Sequence, residues 1–193
     1  MNYSYYEVYT NALRAFTGMG FPYGADEDAA YIIAWLELNE LNGIKLLANS
    51  IDKIDKKFDG KINIKKNELN FNFKNSSVLM KGPGLVDFLY SKIKRKKKVE
   101  AIINNCLEAI YFVPLLYKIT SDVLFINLIY LNNNNQKVLC IIKKNSIKIG
   151  LISKEVNINK SQVRILISNK YENIKLLKIK NEISKNSIQK NLS

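Results

Sequence analysis

The sequence predicts an α+β fold, in which an N-terminal helical unit packs on a mostly antiparallel sheet with one or two further helices. Three observations support this prediction. Apolar side chains recur at helical spacing over residues 1–57. From residue 58 onward, several short segments alternate apolar and polar residues, as strands do. Polar turns such as NNNNQ (132–136) join some of these segments, which is typical of antiparallel neighbours.

Helical signals come first in the chain. Ser4 and Glu7 form an S-x-x-E capping box, which marks the start of a helix. Gly18 ends this helix, because glycine is the residue that most often follows a last helical turn. We predict a second helix over residues 25–42, with acidic residues in its first turn, and a third over residues 44–54.

Strand signals follow. The segments KINIK (61–65) and ELNFNFK (68–74) predict a β-hairpin, and SSVLM (76–80) predicts a further short strand. The glycines and proline of KGPG (81–84) predict a turn before a helix over residues 85–93. The remaining predictions are a strand at 99–105, a short helix at 114–119, a strand meander over 123–131, 137–144 and 146–152, and a helical or mixed segment over about 159–180.

The chain of 193 residues is expected to form a single α+β domain over residues 1–180. Its helical part is 1–57, its sheet-rich part is 58–180, and the polar segment 181–193 is expected to fray. No apolar run reaches the roughly 18 residues that a membrane helix needs. The first residues lack a basic segment followed by an apolar one, so we expect a cytoplasmic protein without a membrane partner.

Composition restricts the chemistry. The chain has no histidine and two cysteines, Cys106 and Cys140, in separate apolar segments. A zinc site takes about four Cys or His ligands, so two cysteines without any histidine are too few to form one within a single chain. We expect no metal and no cofactor. The net charge of +13 comes mainly from 27 lysines against three arginines, a bias that A/T-rich codons would also produce. Residues 51–193 carry a balance of +17.

Three glycines in GMGFPYG (18–24) raise the question of a phosphate-binding loop. A dinucleotide loop has the spacing G-x-G-x-x-G and follows a strand. Here the predicted element before Gly18 is a helix, and three residues instead of two separate Gly20 from Gly24. Carboxylates at 26–28 follow directly and would repel an anion. The segment is therefore predicted to be a turn between two helices.

The opening motifs resemble a known family. The segments RAFTGMG, YGADEDAA and AWLELNELNG are similar to the start of the uncharacterised bacterial family called domain of unknown function 3726. Tyr23 replaces a tryptophan that is usual there, and Ala34 replaces an arginine. Later segments, SVLMKGPGLVDFL and FVPLLYKI, are also similar to the family. The resemblance brings no established activity. The matching positions are Glu7, Arg14, Gly18, Gly20, Gly24, Glu27, Ala29, Trp35, Leu36, Leu41 and Gly43.

Candidate ligand-binding residues follow partly from this resemblance and partly from residue chemistry. Arg14 could hold an anion, or it could form a structural ion pair with Glu7 or with an acid of the second helix. Arg164 could also hold an anion. Trp35 could stack on a ligand or pack in the core. The full set of candidates is Glu7, Arg14, Tyr23, Glu27, Trp35 and Arg164.

A competing pattern lies near the C-terminus. Residues 152–170 resemble a helix-turn-helix, with Asn157 at the turn and Val163 on the inner face of the second helix. In that case Lys160, Gln162 and Arg164 would meet nucleic acid, and Arg95 and Lys96 in the basic run 92–98 would contact its backbone.

Three functions therefore remain open. The first is a small-ligand-binding or accessory subunit, which could contact a protein partner or a second copy through the N-terminal helices. The second is an enzyme acting on a small anionic metabolite. The third is a nucleic-acid-binding protein that uses residues 152–170. Whether the protein is an enzyme is left undecided by the sequence.

Overall fold

The computed structural model of the chain describes residues 3–64, 68–121, 124–152, 156–170 and 176–184. It confirms the α+β class, with an N-terminal helical region and a mostly antiparallel sheet. Within these residues the helices are α1 (Tyr5–Gly18), α2 (Ala25–Leu38), α3 (Gly43–Ala48), α4 (Ile51–Ile54), α5 (Val78–Ile93) and α6 (Phe112–Lys118), with a single 3-10 turn at Ala109–Tyr111. The strands are β1 (Asn70–Asn72), β2 (Lys98–Asn104), β3 (Phe125–Leu131), β4 (Lys137–Lys143), β5 (Ser146–Leu151), β6 (Val163–Ser168) and β7 (Lys178–Ser184).

The predicted capping box of α1 is confirmed. The backbone N–H of Glu7 donates to the Ser4 hydroxyl, and the Ser4 N–H donates to the Glu7 carboxylate at 2.8 Å. These bonds satisfy N–H groups that a helix start leaves without partners. Val8, Ala12 and Phe16 are buried on the face toward α2, which is the spacing that the sequence predicted.

Helix α2 is the central helix of the N-terminal region. It begins after Gly24, whose φ of 85° suits glycine, and it ends at Leu38, four residues before the predicted end. A break follows because Glu40 and Asn42 adopt left-handed conformations. Most residues from Ala29 to Leu36 are buried, so α2 is surrounded by other elements and does not have a single inner stripe.

The predicted third helix is divided into α3 and α4. Gly43, the first residue of α3, packs directly on α2: a Cβ at this position would lie 2.3 Å from the Ile33 carbonyl oxygen and 2.8 Å from the Glu37 nitrogen. The position therefore requires a residue without a side chain. The carboxylate of Glu37 accepts a hydrogen bond from the Ile44 N–H at 2.9 Å and holds this junction.

The strand and turn predicted over residues 76–84 are wrong, because these residues begin helix α5. The Ser77 hydroxyl accepts from the Leu79 N–H and caps the helix. Gly82 lies inside the helix, where a Cβ would come within 2.5 Å of Val78 and 2.9 Å of Leu115. The glycine thus serves close packing against α6 and not a turn. Pro83 is accepted in the second turn of the helix.

The seven strands described form one sheet in the order β1-β2-β6-β3-β4-β5-β7. The predicted meander β3-β4-β5 is confirmed by its antiparallel pairing. The predicted hairpin over 61–74 is wrong, since residues 61–64 are not a strand and β1 pairs in parallel with β2. The last strand, β7, ends at Ser184, so it includes the first four residues of the segment expected to fray.

The helices cover one face of the sheet and contribute to the main core. Val163, Ile165 and Ile167 of β6 point into this core, as the alternation of a strand requires. The opposite face carries a smaller apolar cluster that includes Ile129, Leu139 and Ile141. Among the described residues, no helix is both long enough and apolar enough to cross a bilayer.

The helix-turn-helix prediction for residues 152–170 is wrong. Residues 163–168 form β6, which pairs with β2 on one side and β3 on the other. Its apolar side chains alternate toward the core, and that pattern is satisfied by a strand within the sheet. Residues 163–168 also lie within the segment predicted to be helical or mixed over about 159–180. They form a strand, so a helix is wrong for these six residues. The first turn of the predicted motif, at 153–155, falls outside the described residues.

Candidate functional site

Four of the predicted ligand-binding residues lie on or between the first two helices. Glu7 bonds to Ser4 at the start of α1, and this contact lowers the pKa of its carboxyl group through the backbone N–H and the hydroxyl. Arg14, Tyr23 and Glu27 are exposed, with Tyr23 at 91% of its full accessible area. The structure does not bring these four side chains into one cleft, and their binding role stays a prediction.

The other two candidates are also apart. Trp35 is buried in α2, and its ring centre lies 5.8 Å from that of Tyr117 in α6. Arg164 lies on the face of the sheet opposite the helices, where its guanidinium contacts the Glu100 carboxylate at 2.5 Å. Trp35 therefore packs in the core, which is one of the two alternatives given for it. The ion pair between Arg164 and Glu100 was not predicted.

A different site is found at one end of the sheet. The end of β2, the end of β3 and the start of β6 meet the α2–α3 connection around an open groove of about 800 Å³. We call it the Glu108 groove. Its walls come from residues 40–42, 106–110, 130–135 and 160–163, together with one position each on α3, α4, β4 and β5, two on β7 and two in the segment between α3 and α4.

Glu108 is the central charged residue of the groove. Its Oε1 atom lies 3.3 Å from the Lys53 Nζ atom, and its side chain is 14% exposed. The Oε2 atom is buried, and no hydrogen-bond partner for it exists within the described part of the chain. A buried carboxylate oxygen without a donor is unfavourable, so this atom can accept a further hydrogen bond.

The wall beside Glu108 is held by a second polar contact. The Ser50 and Tyr111 hydroxyl oxygens lie 3.3 Å apart, and the Ser50 hydroxyl also donates to the Leu46 carbonyl at 2.9 Å. Burial raises the pKa of Tyr111, and the Ser50 contact partly offsets this effect. These bonds tie the segment of α3 and α4 to the 3-10 turn that directly follows Glu108.

The backbone around the groove adopts unusual conformations. Left-handed φ angles at non-glycine residues are costly and tend to collect at functional sites. Of the nine such residues in the described chain, five line this groove. They are Glu40 (φ 59°), Asn42 (55°), Glu108 (54°), Asn135 (55°) and Ser161 (59°).

Amide side chains order the rim. The side-chain oxygen of Asn132 accepts from the backbone N–H groups of Asn134 and Gln136 at 3.0 and 2.9 Å, which closes the β3–β4 turn. The Gln162 amide donates to the Asn104 side-chain oxygen at 2.9 Å and joins β6 to the end of β2. The rim is therefore built from fixed polar groups.

Two thiols lie near this end of the sheet. Cys106 lines the groove, and burial raises its pKa, with a further contribution from the Glu108 charge. Cys140 lies in β4, where burial raises its pKa to about 12 while a hydrogen bond with Tyr130 acts against this. Both thiols are protonated at neutral pH. Neither is a prepared nucleophile.

The charges of the groove are mixed. Lys53, Lys160 and Lys180 contribute three positive charges, and Glu40 and Glu108 contribute two negative charges. Within the described residues, no group of three or more His, Cys, Asp or Glu side chains could hold a metal ion. The arrangement suits a small polar ligand that has an anionic group and at least one hydrogen-bond donor.

Sequence reasoning found only the margin of this site. Lys160 and Gln162 line the groove, although they were predicted for nucleic acid. Glu108, Lys53 and Ser50 were missed, because long-range contacts bring them together from distant parts of the chain. One signal was available: the asparagine-rich turn at 132–135 indicated a polar rim, and it was used only as a strand connection.

Comparison with known proteins finds a family match in the N-terminal part of the chain. Residues 3–76 match the model of a family described as "Protein of unknown function (DUF3726)". The resemblance that the opening motifs indicated is thereby confirmed. A comparison with curated proteins finds no significant match to the sequence.

Solved structures with a similar fold are dehydrogenases by title. The dehydrogenase from Sinorhizobium meliloti has a TM-score of 0.66 at 9% identity, and the match covers 100% of this chain and 92% of that one. For the malate dehydrogenase from Pyrococcus horikoshii OT3 the TM-score is 0.61 at 14% identity, covering 81% of this chain and 51% of that one. The sulfolactate dehydrogenase from Methanocaldococcus jannaschii gives 0.51 at 13% identity, covering 81% and 49%.

These matches concern the fold alone. The chain spans about half the length of the malate and sulfolactate dehydrogenases that it matches. Identities of 9% to 14% carry no residue roles across.

Proposed function

We propose that this protein binds a small anionic metabolite in the Glu108 groove, as a ligand-binding or accessory subunit. The observation that carries the proposal is the buried Oε2 atom of Glu108, which has no donor within the described residues. A hydroxyl or amino group of a ligand would supply that donor. The carboxylate is already oriented by the contact between its Oε1 atom and Lys53.

Recognition of the anionic part is assigned to lysines at the groove. Lys53 is 53% exposed and lies 3.3 Å from Glu108, so its ammonium group can contact a ligand while remaining next to the carboxylate. Lys160 and Lys180 line other walls. Lysine acts as a mobile point charge, which suits a ligand whose carboxylate or phosphate need not be held in a bidentate fork.

Size and rigidity support the same assignment. Small-molecule sites commonly measure about 300–1,000 Å³, and the groove has a volume of about 800 Å³. Left-handed residues such as Asn42 and Ser161 are held in place by their surroundings. A preorganised rim lowers the ordering cost of binding, so a small ligand can bind with few contacts.

A thermal-shift experiment tests this proposal. We expect at least one of malate, glutamate and glycerol phosphate to raise Tm, because a ligand of the native state stabilises it. At ten times Kd the gain is about 1.4 kcal/mol, which corresponds to a rise of about 3–5 °C for a domain of this size. The shift should be lost in Glu108→Gln.

The matched control is Glu182→Gln. Glu182 pairs with Lys148 at 2.9 Å on β7 and β5 and does not line the groove. The Glu182→Gln variant removes the same charge outside the groove, so the ligand-induced rise in Tm should persist. Equal loss of the shift in both variants, or no shift with any of the three probes, would count against the groove as the binding site.

A second candidate function is an enzyme acting on a small anionic metabolite. It is favoured by the fold similarity to proteins titled malate dehydrogenase and sulfolactate dehydrogenase. In that case malate or sulfolactate should be consumed when a two-electron acceptor is supplied, as followed by NMR, and Glu108→Gln should abolish the turnover. Binding without turnover would leave the subunit role as the better account.

The location and the partner surface expected from the sequence stay predictions. The cytoplasmic location is testable by fractionating cells that express the tagged chain.

Contact with a protein partner or a second copy through the N-terminal helices is testable by light scattering of the purified protein. Tyr6 on α1 is 75% exposed, and Tyr6→Ser should lower the observed mass if this surface forms the contact.

A further inference from the structure

The ion pair in the Glu108 groove is complementary to the head group of an α-amino acid. The Lys53 Nζ atom and the Glu108 Oε1 atom lie 3.3 Å apart. In an α-amino acid, the bond lengths and the N–Cα–C angle hold the ammonium nitrogen about 2.5 Å from the carboxylate carbon. The two opposite charges of the protein therefore have a spacing that suits the two charges of the ligand, taken in the reverse order.

The ammonium group would meet the side of the carboxylate that has no donor. Glu108 Oε2 is buried and accepts no hydrogen bond within the described residues, whereas Oε1 faces Lys53. The polar groups of the adjacent wall bond elsewhere. The Ser50 and Tyr111 hydroxyl oxygens contact each other, and the Cys106 thiol donates to the carbonyl of the next residue at 3.8 Å. The missing donor must then come from the ligand.

An ammonium group suits this position better than a hydroxyl group. Both can donate a hydrogen bond to Oε2, but a bond between two charged groups is stronger than one with a neutral donor. The difference grows where water is largely excluded, and the Glu108 side chain is only 14% exposed.

The carboxylate group of the ligand would meet the open side of Lys53. That side chain is 53% exposed, and its ammonium group has three N–H donors, of which the contact with Glu108 uses one. With the ligand in place, each positive charge has a negative charge on both sides. This alternating arrangement of four charges is favourable for every neighbouring pair.

The segment that carries Glu108 is fixed at both of its neighbours. The backbone N–H of Cys106 donates to the Ser161 carbonyl at 2.9 Å, and the N–H of Leu107 donates to the Ser76 carbonyl at 3.4 Å. The carboxylate is thus presented from an anchored backbone, so that little ordering is needed when a ligand binds.

We propose that the ligand of the Glu108 groove is an acidic α-amino acid. Its α-ammonium group binds Glu108, its α-carboxylate binds Lys53, and its side-chain carboxylate lies toward Lys160 or Lys180, which line other walls. Three lysines and two glutamates give the groove a charge of +1, which a ligand of net charge −1 neutralises. This inference rests on the proposed function, because it specifies the ligand of the same site.

Isothermal titration calorimetry with three ligands that differ at one carbon atom tests the inference. L-glutamate, L-2-hydroxyglutarate and glutarate share both carboxylates and carry an ammonium, a hydroxyl or a hydrogen at C2. We expect glutamate to bind at least about tenfold more tightly than 2-hydroxyglutarate, and glutarate to bind most weakly. In Glu108→Gln, the preference for glutamate over 2-hydroxyglutarate should fall below about threefold, because the charge that selects the ammonium group is gone.

The matched control is Asp52→Asn, which removes the same charge from an exposed position next to Lys53 and outside the groove. It should keep the preference of the wild type, and the Tm of each unliganded variant shows whether it is folded. Equal affinities for the three ligands, tighter binding of 2-hydroxyglutarate, or a preference that persists in folded Glu108→Gln overturns the amino-acid assignment and leaves the groove as an anion site. If none of the three ligands binds to the wild type, the inference is overturned and the proposed function loses its support as well.

Discussion

The two ends of the sheet differ in how their side chains and backbone are used. At the groove end, five left-handed non-glycine residues and a network of amides surround one buried carboxylate oxygen. At the opposite end, the cations at 94–98, Lys143, Lys144 and Lys170, which we call the basic edge, have no left-handed φ, and all of them except Lys143 are exposed. The most charged part of the chain is therefore separate from the part with a prepared cavity.

This difference shows why net charge is a poor guide to the proposed ligand site. Eight of the 30 lysines and arginines lie at the basic edge, whereas the groove depends on a few lysines and one glutamate in an unusual backbone setting. Lysines can be added at exposed positions at little cost in stability. A buried carboxylate and five strained residues are maintained only by the packing around them.

The largest expected effect is on the packing that supports the groove. Gly43→Val places a side chain 2.3 Å from the Ile33 carbonyl oxygen, so α3 must move away from α2. We expect a loss of about 3 kcal/mol or more in the free energy of unfolding. At the basic edge, Lys96→Val should change it by no more than about 0.5 kcal/mol. Urea unfolding measures both, and similar losses would contradict this contrast.

The next effect concerns a buried lysine of helix α5, which is compared with an exposed lysine at the basic edge. Lys81 in α5 is 4% exposed, and its ammonium lies 2.8 Å from the Asp59 carboxylate. Asp59→Asn leaves that charge buried without its partner, and we expect a loss of about 1–2 kcal/mol, less than for a fully buried pair because Asp59 is half exposed. The exposed Lys96, changed to Gln, should have almost no effect in the same chemical denaturation experiment.

The same pair predicts a pH dependence. The hydrogen bond with Lys81, and then the Lys61 backbone N–H, lower the pKa of Asp59 below its ordinary value. A lowered carboxyl pKa contributes stability above the unfolded pKa of about 4, and that stability is lost as pH falls through the folded pKa. Unfolding measured from about pH 6 to pH 2 should therefore show a smaller decrease for Asp59→Asn than for the wild type. Parallel curves would rule out this contribution.

A smaller loss is expected for Tyr111→Phe. The change removes the hydroxyl that contacts Ser50 at 3.3 Å, while Ser50 keeps its bond to the Leu46 carbonyl. One neutral hydrogen bond contributes about 1 kcal/mol, so Tm should fall by about 2–4 °C. Tyr90→Phe, near the basic edge, serves as the control and should keep its Tm. An unchanged Tm in Tyr111→Phe would show that this contact does not stabilise the wall.

The smallest effect has the opposite sign. Ser161 has a φ of 59°, which glycine adopts at less cost. We expect Ser161→Gly to stabilise the protein by up to about 1 kcal/mol, whereas Lys96→Gly at the basic edge should not stabilise it. The thermal unfolding curves give both values. Destabilisation by Ser161→Gly would mean that its backbone conformation is not strained.

Local rules predicted much of the fold. The capping box at Ser4 and the alternation in the β3-β4-β5 meander are read within a few residues, and both predictions were confirmed. Errors occurred where distant contacts decide the structure. Gly82 indicated a turn by type, but packing against Leu115 makes it a helical position. Residues 163–168 suit a helix or a strand locally, and pairing with β2 and β3 makes them a strand.

The candidate site was less accessible to sequence reasoning for the same reason. Lys53 and Glu108 are 55 positions apart, and nothing in either local sequence indicates the other. The left-handed φ of Glu108 is equally hidden, because glutamate is not a residue typical of that conformation. Asparagine at 42 and 135 is the exception, since it tolerates this conformation better than most residues.

The most direct test of the Glu108 groove is an NMR titration of the ¹⁵N-labelled protein with malate, glutamate and glycerol phosphate in turn. For at least one probe, we predict saturable shifts of the backbone amides at 106–108, 132–135 and 160–162, and their loss in Glu108→Gln. Amides of the basic edge at 94–98 should remain unchanged. Absence of saturable shifts with all three probes, or shifts confined to the basic edge, would contradict the assignment of the groove as the metabolite site.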